Sequence, residues 1–329
     1  MWSVLSPAKA SVINMKHFIE EDIRHKISMP KAIELMRSAF LQLSTGGAIV
    51  PIRTVIDSHD HSGRALFMPS YSSAFGLFGL KMVAVFPHNA VKNLPLIQGK
   101  MMVMDGENGT PLALLDAEYL TALRTGAASG LATDLLSRID AEVLALFGTG
   151  AQAESQIEGV LSVRPVKEII VFGRTDDKTI SFCKRMTNKF GIKIRAALSA
   201  SDLRRADIIC TATTSTTPVF QQDQLKEGVH INGIGSFKPS MQEIPSDVIL
   251  KSILIVDQRK AAIEEAGDIA IPLQQGLMTQ NHIQAELGEI LSGSKKGRTS
   301  PDQVTVFKSV GNAIQDLAIA HFMLHETSG

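Results

Sequence analysis

The stretch Ala-Leu-Phe-Gly-Thr-Gly-Ala-Gln-Ala at 145–153 limits what this chain can fold into more than any other. It closes a strand-forming run, 142–147, and opens an amphipathic helix. In Gly148-x-Gly150-x-x-Ala153 the first glycine permits a tight turn, and the second lets the backbone approach a pyrophosphate. Ala153 allows close helix–strand packing, and the amides of Ala151 and Gln152 face the phosphates. A strand–turn–helix of this kind predicts a bound dinucleotide. It lies in the middle of the chain, so the first half must build something else.

With 329 residues the chain exceeds what one hydrophobic core usually serves, and two domains are expected. A formal net charge of +0 gives no electrostatic case for nucleic acid or an anionic membrane as partner. Cys183 and Cys210 read as reduced, and Cys210, ending an apolar run, is expected to be buried. Residues 1–15 lack a basic region followed by an apolar one, and no apolar span reaches the ~18 residues of a membrane helix. A soluble cytoplasmic protein is the expectation.

Ser28-Met-Pro30 offers an N-cap and an early proline, after which Ile33, Met36 and Phe40 recur at helical spacing. Short strands follow, at 52–57, 64–69, 79–86, 99–104 and 111–115. The last two flank Asp105-Gly-Glu-Asn-Gly109, a hairpin signal. Strands without crossover helices imply an antiparallel sheet and an α+β domain. Asp116 reads as a helix cap, and Thr125-Gly126 as an interruption before the helix resumes over 127–136. From there the rhythm is β-α-β, with strands at 142–147, 168–172, 193–197, 207–211, 229–234 and 252–257. Helices are expected over 152–161 and 177–189, so a doubly wound parallel sheet follows. Residues 309–325 read as a last helix with Ile314, Leu317, Ala318 and Phe322 on one face.

The next strand ends in Gly173-Arg174-Thr175, where an adenine ribose with a free 2′-hydroxyl would usually meet an acidic residue. Arg174 favours a 2′-phosphate, hence NADP(H) over NAD(H); the alternative is a solvated loop residue. Thr211-Ala212-Thr213 and Gly235-Ser236, at later strand ends, suit the ribose and nicotinamide. In the first half, Arg53, Lys81 and Arg124 stand out. Lys81 lies in an apolar strand, so its ammonium needs an anionic partner, either a protein carboxylate or a substrate carboxylate. Taken singly, each of these cations reads first as a structural ion pair. The nine histidines, His59, His61 and His88 among them, lack metal-ligand spacing, and no metal site is expected.

With these residues laid out, the chain resembles the ornithine cyclodeaminase/μ-crystallin family along essentially its whole length. The matching pieces are Pro51-x-Arg53, Met68-Pro69, Gly79-x-Lys81, Ala-Leu-Arg-Thr-Gly-Ala-Ala at 122–128, Gly148 to Gln152, Ile231 to Ser236 and Lys308 to Gly311. The resemblance implies a substrate and dimerisation domain that begins with residues 1–125, a Rossmann dinucleotide domain at 126–308, and a C-terminal helix, 309–329, returning to the first domain. It implies a homodimer. It assigns Arg53, Lys81 and Arg124 to the α-carboxylate of the substrate, with Lys81 in the catalytic role. Gly148, Gly150, Ala151 and Gln152 fall to the pyrophosphate, and Gly173, Arg174 and Thr175 to the adenosine ribose. Arg124 and Thr125 adjoin the cofactor, while Ser309 and Val310 lie beside nicotinamide and substrate.

One departure narrows the chemistry. Cyclodeaminases of the family carry an Asp where this chain has Phe237, in Gly235-Ser-Phe-Lys-Pro239. A phenyl ring cannot serve as acid or base. The resemblance then implies reduction of a cyclic imino acid, Δ1-pyrroline-2-carboxylate to L-proline above all, with the six-membered homologue giving L-pipecolate. Ornithine cyclodeaminase, an alanine-type dehydrogenase and a non-catalytic NADPH-dependent binding protein are the alternatives.

Overall fold

The computed structural model describes residues 15–326; residues 1–14 and 327–329, the outer ends of the two terminal segments, lie outside the described residues. The first sheet holds β1 (Lys16–Phe18), β2 (Ala48–Ile49), β3 (Thr54–Ser58), β4 (Gly63–Ser72), β5 (Leu77–Val85), β6 (Ile97–Asp105) and β7 (Pro111–Asp116). Its order is β1-β7-β6-β5-β4-β2, with β3 also on β4. The ladder is antiparallel as expected, except that the short edge strand β1 runs parallel to β7. The expected hairpin closes β6 onto β7: Asp105 Oδ1 accepts the amides of Glu107 and Asn108, and Gly109 sits at φ +76°. Along β5, Leu77, Gly79 and Lys81 share the buried face while Phe78 and Met82 face out. Strand alternation therefore puts the Lys81 ammonium inside.

Two helices separate β1 from the rest of the sheet, α1 (Glu20–Lys26) and α2 (Met29–Ser44). Ser28 caps α2 by accepting the Lys31 amide, and Ile33, Met36 and Phe40 are buried. Helix α3 (Ala117–Leu136) corrects the sequence reading, because it runs without interruption through Thr125-Gly126. Gly126 is there for packing. A Cβ on it would stand 2.2 Å from the carbonyl oxygen of Ser155 in α4 (Ala153–Leu161). Gly159 returns the contact, its Cβ position being 2.1 Å from Gly126 O. Asp116 makes no side-chain cap; it pairs with Lys100 and His17 instead.

The second sheet is parallel throughout. It comprises β8 (Val143–Phe147), β9 (Glu168–Phe172), β10 (Lys193–Ala196), β11 (Ile208–Thr211), β12 (His230–Gly233), β13 (Ile253–Val256), β14 (Ile283–Glu286) and β15 (Thr305–Lys308). The order is β10-β9-β8-β11-β12-β15-β13-β14. The doubly wound α/β class stands, with β14 and β15 added to the six strands expected. Its helices are α4, α5 (Asp176–Phe190), α6 (Ser246–Lys251), α7 (Arg259–Glu265), α8 (Gly267–Gln274) and α9 (Leu287–Leu291). Strand order reverses at β8, so a crevice opens at its carboxyl end, where Gly148 lies.

The last helix, α10, spans Ala313–Glu326 and not 309–325: Ser309 to Asn312 form a loop, since Gly311 takes φ +77°. Its first two turns are buried all round rather than on one face, and Leu317 reaches Gly79 of β5. Cys183 and Cys210 are both buried and free.

Candidate active site

At the crevice, Gly148 adopts φ +101° and its amide donates to Phe172 O at 2.9 Å. A Cβ there would meet Ala212 O at 2.5 Å, so only glycine fits. Gly150 faces open space, as close approach of a phosphate requires. Ala151 and Gln152 form the turn into α4, one residue before the helix proper, and Gln152 Oε1 is buried without a hydrogen-bond partner. Beside them Phe147 and Phe172 stack at 4.5 Å, and with Leu203 and Phe220 they line a hollow suited to a flat aromatic base. Gly173 packs on Thr179, which leaves Arg174 and Thr175 exposed at the end of β9. These residues fit a dinucleotide.

The loops after β11 and β12 are braced by Glu243, which sequence reasoning missed. Its buried carboxylate accepts from Thr211 Oγ1 (2.9 Å), Thr213 N (2.6 Å), Gly235 N (2.7 Å) and Ser236 N (3.1 Å). Burial raises its pKa above the ordinary carboxylate value. Ser236 Oγ donates to Met241 O and accepts the Asp268 amide. The Thr211 and Ser236 hydroxyls are thus committed within the protein, and so is the Gly235 amide. Asp268 also faces Lys308, whose ammonium, 0% exposed, donates to Gly233 O at 2.9 Å. A lysine directly after the apolar run 304–307 could have signalled this pair, as Lys81 did elsewhere. Glu243 lies in an irregular segment and gave no signal.

Arg53, Lys81, Arg124, Ser309 and Val310 converge at the carboxyl end of β15, next to β12. Lys81 Nζ lies 2.7 and 2.8 Å from the two carboxylate oxygens of Asp316 and 3.3 Å from Thr121 Oγ1. Arg124 donates from Nε to the same Asp316 Oδ1 at 3.3 Å and from Nη1 to Gln315 Oε1 at 2.8 Å. Its guanidinium lies so close to Gly311 that a Cβ there would be 2.4 Å from Nη1. Arg53, one residue before β3, pairs with Glu265 at 2.8 Å and donates to the carbonyls of Val310 and Gly311. Asp257 holds that loop by accepting from Ser309 Oγ, Val310 N and Gly311 N. Thr125 is turned into its own helix, onto Thr121 O.

Burial lowers the Lys81 pKa to about 7; Asp316 opposes this, while Arg124 and Arg53 add to it. The protein carboxylate that Lys81 required is therefore Asp316, on a helix the sequence placed but whose charged residue it overlooked. The signal was present: an Asp between Ile314 and Leu317 on an apolar helix. Phe237 is 39% exposed and presents no titratable group beside Ser236.

The model of the ornithine cyclodeaminase/mu-crystallin family matches residues 14–329. Over 302 residues the chain is 41% identical to a Δ1-pyrroline-2-carboxylate reductase of Bacillus cereus, covering 91% of this chain and 93% of that one. The structure of Thermococcus litoralis Δ1-pyrroline-2-carboxylate reductase, in complex with NADH and L-proline, superposes with a TM-score of 0.91 at 37% identity, over 95% of this chain and 98% of that one. An archaeal alanine dehydrogenase dimer with bound NAD superposes with a TM-score of 0.89 at 31% identity, over 95% and 96%.

Proposed function

The chain belongs to the ornithine cyclodeaminase/mu-crystallin family, and from that premise we propose that it is an NAD(P)H-dependent reductase converting Δ1-pyrroline-2-carboxylate to L-proline. Its six-membered homologue is the second substrate to test. The observation that carries this reading is the set of cations, Lys81 and Arg124 buried and Arg53 partly buried, gathered around the loop that follows β15. A carboxylate bound among them is held next to the strand ends that border the dinucleotide crevice.

The crevice at Gly148 to Gln152 would hold a dihydronicotinamide dinucleotide, which when bound would supply the hydride for the new C–H bond at the imine carbon, the π electrons of C=N passing to nitrogen with uptake of one proton. The overall change is imino acid, NAD(P)H and H+ to L-proline and NAD(P)+. The protein orients: cations fix the carboxylate, so the adjacent carbon is presented in one pose. Lys81 as the ammonium also withdraws charge from the imino acid. Phe237 leaves no acid or base at the position where deaminating members carry an Asp, so loss of ammonia has no assistance there.

Arg174, exposed at the end of β9, supports a preference for NADP(H) through a contact with a 2′-phosphate; NAD(H) is the other cofactor to test. A homodimer built on the first sheet is supported by its outward apolar side chains Phe78, Met82 and Met102. The substrate domain takes in residues 1–125 and the segment 309–329, with 126–308 as the dinucleotide domain. Among the described residues no helix is long and apolar enough to cross a membrane. The free, buried thiols Cys183 and Cys210 suit a reducing compartment, which supports a cytoplasmic location.

The test is NADPH and NADH oxidation with pyrroline- and piperideine-carboxylates and with pyruvate plus ammonium. Rapid oxidation with the cyclic imines is expected. Turnover confined to pyruvate plus ammonium would establish the alanine-type dehydrogenase instead, and ammonia release from L-ornithine the cyclodeaminase.

A further inference from the structure

Asn312 closes the loop between β15 and α10, directly after Gly311, whose backbone lies against the Arg124 guanidinium. Its side chain lines a narrow cleft with Arg53, Met68, Glu265 and Gly311. Asn312 is 3% exposed, yet neither its Oδ1 nor its Nδ2 has a hydrogen-bond partner among the described residues. An amide buried in this way is costly unless something that binds there completes it. The charged groups nearby are already engaged, and of the neutral amides Gln315 spends its oxygen on Arg124 and keeps only Nε2 unpaired. Arg53 is held by Glu265 and two carbonyls, Lys81 by Asp316 and Thr121, and Asp257 by the 309–311 loop. The charged acceptors of the cluster, Glu265 and Asp316, are paired with Arg53 and Lys81.

The cleft therefore combines one cation, Arg53, and a wall at Gly311 shared with Arg124, with a neutral, unused amide that can both accept and donate. An α-imino carboxylate has the matching pattern, because its nitrogen is bonded to the carbon that carries the carboxylate. A neutral amide oxygen can receive that N–H without adding an anion to compete for the cations. We propose that Asn312 touches the substrate and determines its class, Oδ1 accepting the N–H of the iminium and of the amine product while Nδ2 donates to the carboxylate. The proposal rests on the reductase reading of the same site, and it adds the residue that recognises the nitrogen.

The test uses the full-length protein loaded with NADH and two ligands, L-proline and cyclopentanecarboxylate, which share ring size and carboxylate but differ in the N–H. Wild type should bind proline more tightly by about tenfold or more, as expected when a buried polar group meets or lacks its partner. In Asn312→Leu that ratio should fall towards one and kcat/KM for the imine should drop about tenfold or more, with NADH affinity and Tm maintained. Leucine removes an unpaired buried amide, so a fall in turnover without a fall in Tm separates a ligand role from a structural one. Retention of the wild-type ratio, or equal weakening of both ligands, overturns the proposal. Asn312→Ala, read by the same comparison, decides the matter should the leucine variant not fold. The comparison needs no turnover, so a wild type unable to reduce the imine overturns the reductase reading and leaves the ligand ratio to judge Asn312.

Discussion

Asp316 Oδ1 lies 2.8 Å from Lys81 Nζ, and the two side chains, 0% and 1% exposed, form the sealed joint between α10 and β5. The same oxygen receives Arg124 Nε, so one carboxylate mounts both cations. In such surroundings the charge of Lys81 depends on its partner. Burial and the neighbouring guanidinium groups favour the neutral amine, and Asp316 favours the ammonium.

The sign for ligand binding follows from that balance. With the pKa of Lys81 at about 7 in the free protein, raising the pH through that value removes the charge that attracts a carboxylate. Affinity for L-proline should therefore fall as pH rises above about 7, with proton uptake on binding near that pH. In Asp316→Asn the fall should begin at lower pH, and Asp316→Glu should restore part of it. Calorimetry in buffers of different ionisation enthalpy reads the proton uptake directly. An affinity flat with pH in wild type and variant alike would remove Lys81 from the binding site.

Lys81→Met should nearly abolish turnover and should also destabilise the fold by up to about 3–5 kcal/mol, because it removes the nearer of the two cations on buried Asp316 and leaves only the 3.3 Å contact to Arg124. Lys81→Met with Asp316→Asn should recover most of the stability and none of the activity. Urea denaturation alongside steady-state kinetics separates the two effects. Activity in the double variant would show that these cations are structural only.

Gly126→Ala places a methyl 2.2 Å from Ser155 O and must push α3 from α4. A loss of about 1–3 kcal/mol is expected, typical of an overfilled interface. Dinucleotide affinity should weaken as well, since α4 begins at the pyrophosphate turn. Fluorescence titration with NADH on the folded variant checks the second effect, and unchanged stability would contradict the packing role of this glycine.

Arg174→Ala should lower kcat/KM for NADPH relative to NADH by about tenfold or more, the value of a charge-assisted contact to a phosphate. The NADH value should hardly change. Should the ratio stay constant, Arg174 is a solvated loop residue.

Local patterns made much of this fold legible. Alternating strands 52–115, the Asp105–Gly109 hairpin, the Ser28 cap and the strand–turn–helix at Gly148 each depend on residues within one or two turns of one another. Their physical signals are short-ranged, so composition and spacing suffice. Thr125-Gly126 misled for the same reason. A helix-interior glycine signals a break locally, whereas here the proximity of α4 is what requires it. The strands at 283–286 and 305–308 are only four residues each and gain their identity from neighbours in the sheet.

The sequence by itself determined the dinucleotide crevice, the antiparallel ladder and the need of Lys81 for an anion. Which anion it meets was decided only by tertiary structure. Asp316 lies 235 residues away, and burial, which sets both the pairing and the charge state of the lysine, belongs to the packed molecule rather than to any stretch of chain. The same holds for Asn312, whose unpaired amide becomes meaningful once α10, β4 and α7 close around it. Charge and hydrogen-bond accounts are settled by what surrounds a group in space, and no spacing along the chain records that.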